Sequence, residues 1–472
     1  MPGELPVGLQ DILHRRQPKL RAKRGQMIHC FTALDRRIAL DVESGAVYAL
    51  DELAYEAVRR WETLPREALG ALLCASFEKE EVEETLREID GLAGEGALFT
   101  EATPRFEPDP GIVKAMCLHM AHDCNLRCGY CFASQGEFGD GGRSLMPLDV
   151  GKKALFWLVE HSGNRKSLEV DFFGGEPLLN FPVVKEVVAY GRALERQYGK
   201  RFHFTLTTNA LALTDDIICF LNDEMENVVL SIDGRKEVHD AMRPMPNGKG
   251  SFERVLPHAK KLAISRGQRR YYVRGTFTRN NLDFDRDALF LAGEGFEQIS
   301  IEPVVADVSC SYALSEDDLP AICASYDRLA REYVKRRKEG RWFNFFHFMV
   351  DFQNGPCLKK RLKGCGAGNE YVAVTPQGDL YPCHQFVGRE GFKMGSVLDG
   401  AFDRPMQKDF ANNHVLSKES CASCWAKYYC SGGCAANAHF KNGDIGKPYE
   451  LECRMERKRL ELAIAVAAME ME

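Results

Sequence analysis

From residue 115 to about residue 338, short apolar runs alternate six times with longer stretches of helical periodicity, and few folds accommodate that alternation. The strands read at 115–119, 168–173, 202–207, 228–232, 271–277 and 299–304. Six strand–helix units imply a parallel sheet with helices outside it, because parallel neighbours need a long crossover between them. A right-handed crossover repeated six times gives a doubly wound sheet or an open partial barrel, and composition does not choose between them. In both, ligand chemistry lies at the carboxyl ends of the strands.

The loop after the first of these strands carries Cys124, Cys128 and Cys131 in the run Cys-Asn-Leu-Arg-Cys-Gly-Tyr-Cys. Three thiolates are one too few to close a four-iron cluster, so one iron would remain free for an exchangeable molecule. A structural zinc site is the alternative, but it takes four protein ligands and no fourth is nearby. The next strand ends in Gly174, Gly175, Glu176 and Pro177. Glycines at a strand terminus let a ligand approach exposed backbone. Arg243, a planar donor suited to a carboxylate, follows further on.

The flanking regions read differently. Residues 28–34, a turn at 35–37, residues 38–42 and 46–50 read as a hairpin with a further strand, followed by helices at 51–61 and 79–92. Pro104, Pro108 and Pro110 mark a linker at 101–111. Beyond residue 343 the chain is rich in glycine and cysteine until a helical tail at 454–471. The division expected is 1–100, 101–111, 112–342 and 343–472. Seventeen cysteines with no secretory apolar region after Met1 read as metal ligands and reduced thiols rather than a disulfide framework. Cys30, Cys74, Cys117, Cys219, Cys310 and Cys323 are scattered and read as packed thiols. A net charge of −6 gives no footprint for nucleic acid, and no apolar run is long enough to span a bilayer. A cytoplasmic protein is expected.

The Cys-x3-Cys-x2-Cys loop with Tyr130 before its last ligand, together with Gly174, Gly175, Glu176 and Pro177, resembles radical S-adenosylmethionine enzymes. That resemblance implies an α/β fold built on a partial (β/α)6 barrel, with S-adenosylmethionine chelated to the open iron of a [4Fe–4S] cluster. It implies that Tyr130 borders the adenine, that the Gly-Gly-Glu-Pro segment binds the methionyl amino group, and that Ser231, Asp233, Arg243, Thr208 and Asn209 contact ribose or carboxylate. The later series Cys365, Cys383, Cys421, Cys424, Cys430, Cys434 and Cys453 is similar to that of SPASM iron–sulfur domains. The similarity implies one auxiliary cluster on Cys421, Cys424, Cys430 and Cys453 and a second on Cys365, Cys383 and Cys434, three [4Fe–4S] clusters in all. The fourth corner of the latter is either Cys357 or open to a substrate thiolate.

Segments 163–165, 271–284, 343–349 and 380–388 look like those of SCIFF peptide maturases, which form thioethers in a cysteine-rich ribosomal peptide. The resemblance implies a winged-helix-like N-terminal element that binds a leader peptide by strand addition, a cysteine-rich precursor as substrate, and a flavodoxin- or ferredoxin-type reductant. Another peptide or protein oxidation, or a carbon–carbon crosslink, is the alternative; a non-catalytic iron–sulfur carrier is a third. Sulfatase maturases place an aspartate after the third ligand of the first auxiliary cluster; here that residue is His384, a candidate proton acceptor.

Overall fold

The computed structural model describes residues 27–101, 111–139, 142–350 and 358–471. Cys357 and nearly all of the expected linker at 101–111 lie outside the described residues. The N-terminal unit is an antiparallel sheet of β1 (Ile28–Ala33), β2 (Arg36–Asp41) and β3 (Val47–Leu50), in that order, followed by α1 (Glu52–Arg60), α2 (Arg66–Leu73) and α3 (Lys79–Gly94). The first turn is tighter than the sequence suggests. It consists of Leu34 and Asp35, both at positive φ (51° and 62°), the backbone of a two-residue hairpin turn. Leucine is a poor signal for that conformation, and the expectation at 35–37 is corrected by one residue. Helix α2, also not foreseen, buries Ala68, Leu69 and Leu73 beneath α1 and α3.

The central sheet comprises β4 (Ala115–His122), β5 (Ser144–Leu145), β6 (Ser167–Gly174), β7 (Arg201–Thr208), β8 (Asn227–Ser231), β9 (Arg270–Phe277) and β10 (Gln298–Pro303). Strands β4, β6, β7, β8, β9 and β10 are parallel and lie side by side in chain order. A doubly wound sheet would reverse that order at a switch point. Uninterrupted winding instead puts every crossover helix on one face, which makes the open partial barrel. The intervening helices α4 (Leu148–His161), α5 (Phe181–Tyr198), α6 (Asp215–Glu224), α7 (Lys236–Met242), α8 (Phe252–Arg266) and α9 (Phe284–Gly293) lie between these strands in the chain. Burial alternates accordingly: Phe202, Phe204 and Leu206 of β7 are sealed in the core, whereas Thr205 and Thr207 are half-exposed on the other face. Strands β6, β8 and β9 repeat the pattern, so the concave face is an accessible wall.

After α10 (Leu319–Lys338), β11 (Asn344–Phe345) pairs in parallel with β10. At the other end, β12 (Tyr371–Val374) adds in parallel to β4 and is continued antiparallel by β13 (Asp379–Tyr381) and β14 (Gly395–Ser396). The C-terminal cysteine region therefore extends the barrel's own sheet. The tail helix α11 (Glu450–Met471) begins four residues before the expected start and packs against α10 and against β1 and β3. Residues 462–466 are buried without interruption because the helix has neighbours on opposite sides. Among the described residues, no helix is long and apolar enough to cross a membrane.

Candidate active site

The cysteine loop leaves β4 and is held by backbone. The Gly175 and Glu176 N–H groups donate to the carbonyls of Ala121 (2.8 Å) and Asp123 (2.9 Å), and the Arg127 and Gly129 N–H groups to those of Pro244 and Met242 (2.8 Å each). Gly174 (φ 120°) and Gly175 lie so close that a Cβ would fall 2.4 Å from the Ala121 oxygen and 2.1 Å from the Asp123 oxygen. The side-chain-free faces of both glycines fit against the cysteine loop. Pro177 opens a short 3₁₀ turn capped by the Glu176 carboxylate, which accepts from the Leu178 N–H at 3.1 Å.

The three sulfurs share one neighbourhood. Cys124 and Cys131 accept backbone N–H bonds from Leu126 (3.4 Å) and Gln135 (3.2 Å), and the Asn209 amide reaches Cys124 at 3.7 Å. Burial, with Glu176 and the other thiols adding to it, pushes Cys124 up to about 12; burial also pushes Cys128 up to about 11. Thiols so enclosed ionise only with a cation among them, which is the demand a metal cluster answers. Among the described residues no three His, Cys, Asp or Glu side chains converge tightly enough for a single metal ion. One tetrahedral ion would hold its thiolates about 3.8 Å apart. Three thiols gathered on one loop fit an iron–sulfur cluster with one open iron.

Two buried carboxylates flank the loop. Glu176 accepts from the Thr208 hydroxyl (2.7 Å) and the Asn209 N–H (2.8 Å), and burial pushes it up to about 7 despite those bonds. A cationic ammonium beside it would reverse that rise, so this site also fits its expected guest. Asp233 is fully enclosed and accepts from the Tyr130 hydroxyl (2.8 Å), Arg243 Nε (3.0 Å) and the Thr276 N–H (3.0 Å). Its carboxylate is thus occupied by the chain's own donors, and it holds Tyr130 and Arg243 in place. The Arg243 guanidinium also lies 5.4 Å from the Tyr130 ring centre. Ser231 ends β8 opposite Arg274 and is half-buried.

The later cysteines gather as two groups. Burial pushes the Cys383 thiol well up, with Cys434 and Cys365 adding to the rise, and burial with Glu452 and Cys365 pushes Cys434 up to about 11. Cys421 is close to Cys424, while Cys453 is close to both Cys430 and Cys421. Lys418, sealed in the core with its ammonium on the Gly432 carbonyl (2.8 Å), senses Cys421, Cys430, Cys434 and Cys453. A small, partly enclosed cleft of about 30 Å³ adjoins Cys365 and is lined also by Asn369, Lys418 and Ser431. Asn369 is 1% exposed, and neither polar atom of its amide has a partner. Such orphaned groups fit a site whose contents complete their bonding.

Between the first and later cysteines lies a wall that sequence reasoning left unassigned. Cys117 of β4, Tyr371 and Ala373 of β12, Tyr381 of β13 and Phe173 of β6 pack together with Cys131. His384 joins this wall, its ring centre 5.1 Å from that of Phe173 and 5.4 Å from that of Phe132. Burial, assisted by the charge of Arg274, pushes His384 down to about 4. It is neutral at pH 7 and a much weaker base than free imidazole. Its neighbour Gln385 points an amide at Cys434 Sγ, 3.7 Å away.

Comparison with known proteins agrees with this layout. The profile described as "Radical SAM superfamily" matches residues 118–274, and that of the SPASM "Iron-sulfur cluster-binding domain" matches residues 365–425. The chain is 25% identical over 346 residues to a cysteine-type anaerobic sulfatase-maturating enzyme of Clostridium novyi (strain NT), covering 68% of this chain and 88% of that protein. It is 26% identical over 368 residues to the mycofactocin maturase MftC of Mycobacterium ulcerans (strain Agy99), covering 75% and 92%. Among solved structures, anSMEcpe with bound AdoMet superposes with a TM-score of 0.62 at 18% identity, over 75% of this chain and 98% of that one. SuiB of Streptococcus suis bound to S-adenosylmethionine gives 0.51 at 16% identity, over 90% and 98%. At such identities the structures speak for the fold alone. Residues 118–274 thus carry a radical SAM domain and residues 365–425 a SPASM iron–sulfur domain.

Proposed function

We propose that the protein is a peptide maturase that forms thioethers between a cysteine sulfur and an acceptor side-chain carbon, threonine in the leading case, of a cysteine-rich precursor. The observation that carries the reading is the Cys365, Cys383 and Cys434 group, with a small cleft beside Cys365 and a link through Cys117 and Tyr371 to the concave wall. Matches to maturases over most of the chain support modification of a peptide or protein, and the segment resemblance supports the thioether.

In this reading Cys124, Cys128 and Cys131 hold the first cluster, and the later cysteines hold two more. Bound S-adenosylmethionine and a reduced cluster supply a 5′-deoxyadenosyl radical able to take hydrogen from an unactivated carbon. The chain's own residues prepare the place. Thr208 and the Asn209 N–H fix the Glu176 carboxylate for an ammonium group, while Asp233 steadies Tyr130 and Arg243. Arg243 presents its remaining donors to a carboxylate.

The N-terminal sheet would receive the leader peptide as an added strand. Both β1 and β3 are edges of that sheet, and the added strand would pair with one of them. A flavodoxin- or ferredoxin-type protein would supply electrons. Anaerobically reconstituted enzyme with a cysteine-rich precursor is expected to yield a product lighter by two hydrogens and resistant to thiol alkylation. Deoxyadenosine released with no change in peptide mass would sink the reading. A product whose cysteines all remain alkylatable would favour the alternative chemistry, another oxidation or a carbon–carbon crosslink.

A further inference from the structure

Asp171 stands on β6 three residues before Gly174, in register with Cys117 of β4 and Thr205 of β7. Its neighbours in sequence, Val170 and Phe172, are sealed among the helices, so strand alternation turns Asp171 to the concave face. The residue is half-buried there, yet its Oδ1 is enclosed and receives no hydrogen bond. A buried acceptor without a donor is costly, and sites keep such atoms where a guest supplies the proton.

The groups around it are few and identifiable. From β9 the Arg274 guanidinium faces Asp171; that side chain is 60% exposed, and its nearest acid is Glu302, 3.8 Å away. From β4 and β12 come the Cys117 thiol and the Tyr371 hydroxyl, which bond each other and lie within electrostatic reach of both Asp171 and Cys383. Thr205 of β7 is uncharged. Asp171 thus lies at the border between the barrel's concave wall and the Cys383 group, where a substrate sulfur would sit.

We propose that Asp171 is the catalytic proton acceptor for the substrate thiol, with Arg274 as the positioning residue opposite it. The proposal rests on the thioether reading above. The step balances as follows. The thiol proton passes to the Asp171 carboxylate, and the acceptor-carbon hydrogen leaves in 5′-deoxyadenosine. The sulfur–carbon bond forms, and the one remaining electron is taken by an iron–sulfur cluster of the SPASM domain. Burial, against the pull of Arg274, pushes Asp171 up to about 7. A base is most effective when its pKa lies near the working pH, and Asp171 meets that condition.

The test uses full-length reconstituted enzyme carrying Asp171→Asn or Asp171→Glu, with iron content matched to wild type and a cysteine-rich precursor peptide. Asp171→Asn is expected to form deoxyadenosine within about twofold of wild type while thioether per deoxyadenosine falls at least about 100-fold. Wild-type crosslinking should rise with pH through about 7 and then level, because the carboxylate must be ionised to accept. Asp171→Asn should lose that step and Asp171→Glu should retain it. A readout without turnover is alkylation of the bound peptide's cysteine in the absence of S-adenosylmethionine. Its midpoint should lie near pH 7 in wild type and move towards about 8.5 in Asp171→Asn. Crosslinking by Asp171→Asn at the wild-type rate and pH profile overturns the proposal and leaves the thioether reading intact. Wild-type enzyme that releases deoxyadenosine without any thioether overturns the reading, and the proposal with it.

Discussion

Asp233 shows how one enclosed carboxylate can organise a binding wall. The Arg243 side chain that it pairs with is 11% exposed, so removing the negative charge strands a buried guanidinium. Asp233→Asn is expected to cost about 3–5 kcal/mol in chemical denaturation and to weaken S-adenosylmethionine binding more than Ser231→Ala does. Equal stability of variant and wild type would remove Asp233 from this role. The sequence shows the Cys124, Cys128 and Cys131 loop clearly, because three metal ligands in one loop require fixed short spacings. It shows Asp233 and Arg243 as residues but not their mutual pairing, which depends on how α7 returns to the end of β8. Asp171 is hidden for a related reason: its inward turn is readable from Val170 and Phe172, but its closeness to Cys117 follows only from strand register.

Among the elements, the glycines at the end of β6 act as a clamp on the loop leaving β4. A methyl group on Gly175 would overlap the Asp123 oxygen, and backbone cannot move aside as a flexible side chain can. Gly175→Ala is therefore expected to displace the cysteine loop. Iron should fall by one cluster's share and deoxyadenosine formation by at least about 100-fold, while the electron-paramagnetic signals of the later clusters persist. Unchanged iron and turnover would disprove the clamp. The six barrel strands were legible because each is a short apolar run followed by a long helix. Strand β12 was not: Tyr371, Val372, Ala373 and Val374 are few, and their partner in β4 lies some 250 residues earlier in the chain. Tail helix α11 was visible by periodicity, but its burial on opposite sides depends on both α10 and the N-terminal sheet.

At the scale of the whole molecule, the N-terminal unit is fastened to the loop that carries Cys424 and Cys430. Glu43 accepts from Lys427 Nζ (2.6 Å) and the Tyr428 hydroxyl (2.8 Å), with Glu43 and Lys427 side chains 1% and 6% exposed. His29 stacks on Trp425 at 3.9 Å and bonds Glu461 of α11 at 3.0 Å. Glu43→Ala leaves the Lys427 ammonium buried without its carboxylate, a loss of about 3 kcal/mol or more. Hydrogen exchange should then accelerate across both residues 27–50 and 424–430; acceleration confined to one segment would show that they are not fastened. The pairing of β12 with β4 has a consequence of another kind. The cysteine loop of the barrel and the hairpin leading to Cys383 hang from adjacent rungs of one ladder, about 4.8 Å apart at the strands. Both are carried by one continuous sheet, so in the proposed thioether chemistry the span between the radical's origin and the sulfur's seat would be fixed like the jaws of a gauge. A peptide substrate would bend its donor and acceptor to that gauge, and the sheet rather than domain closure would measure the spacing of its crosslinks.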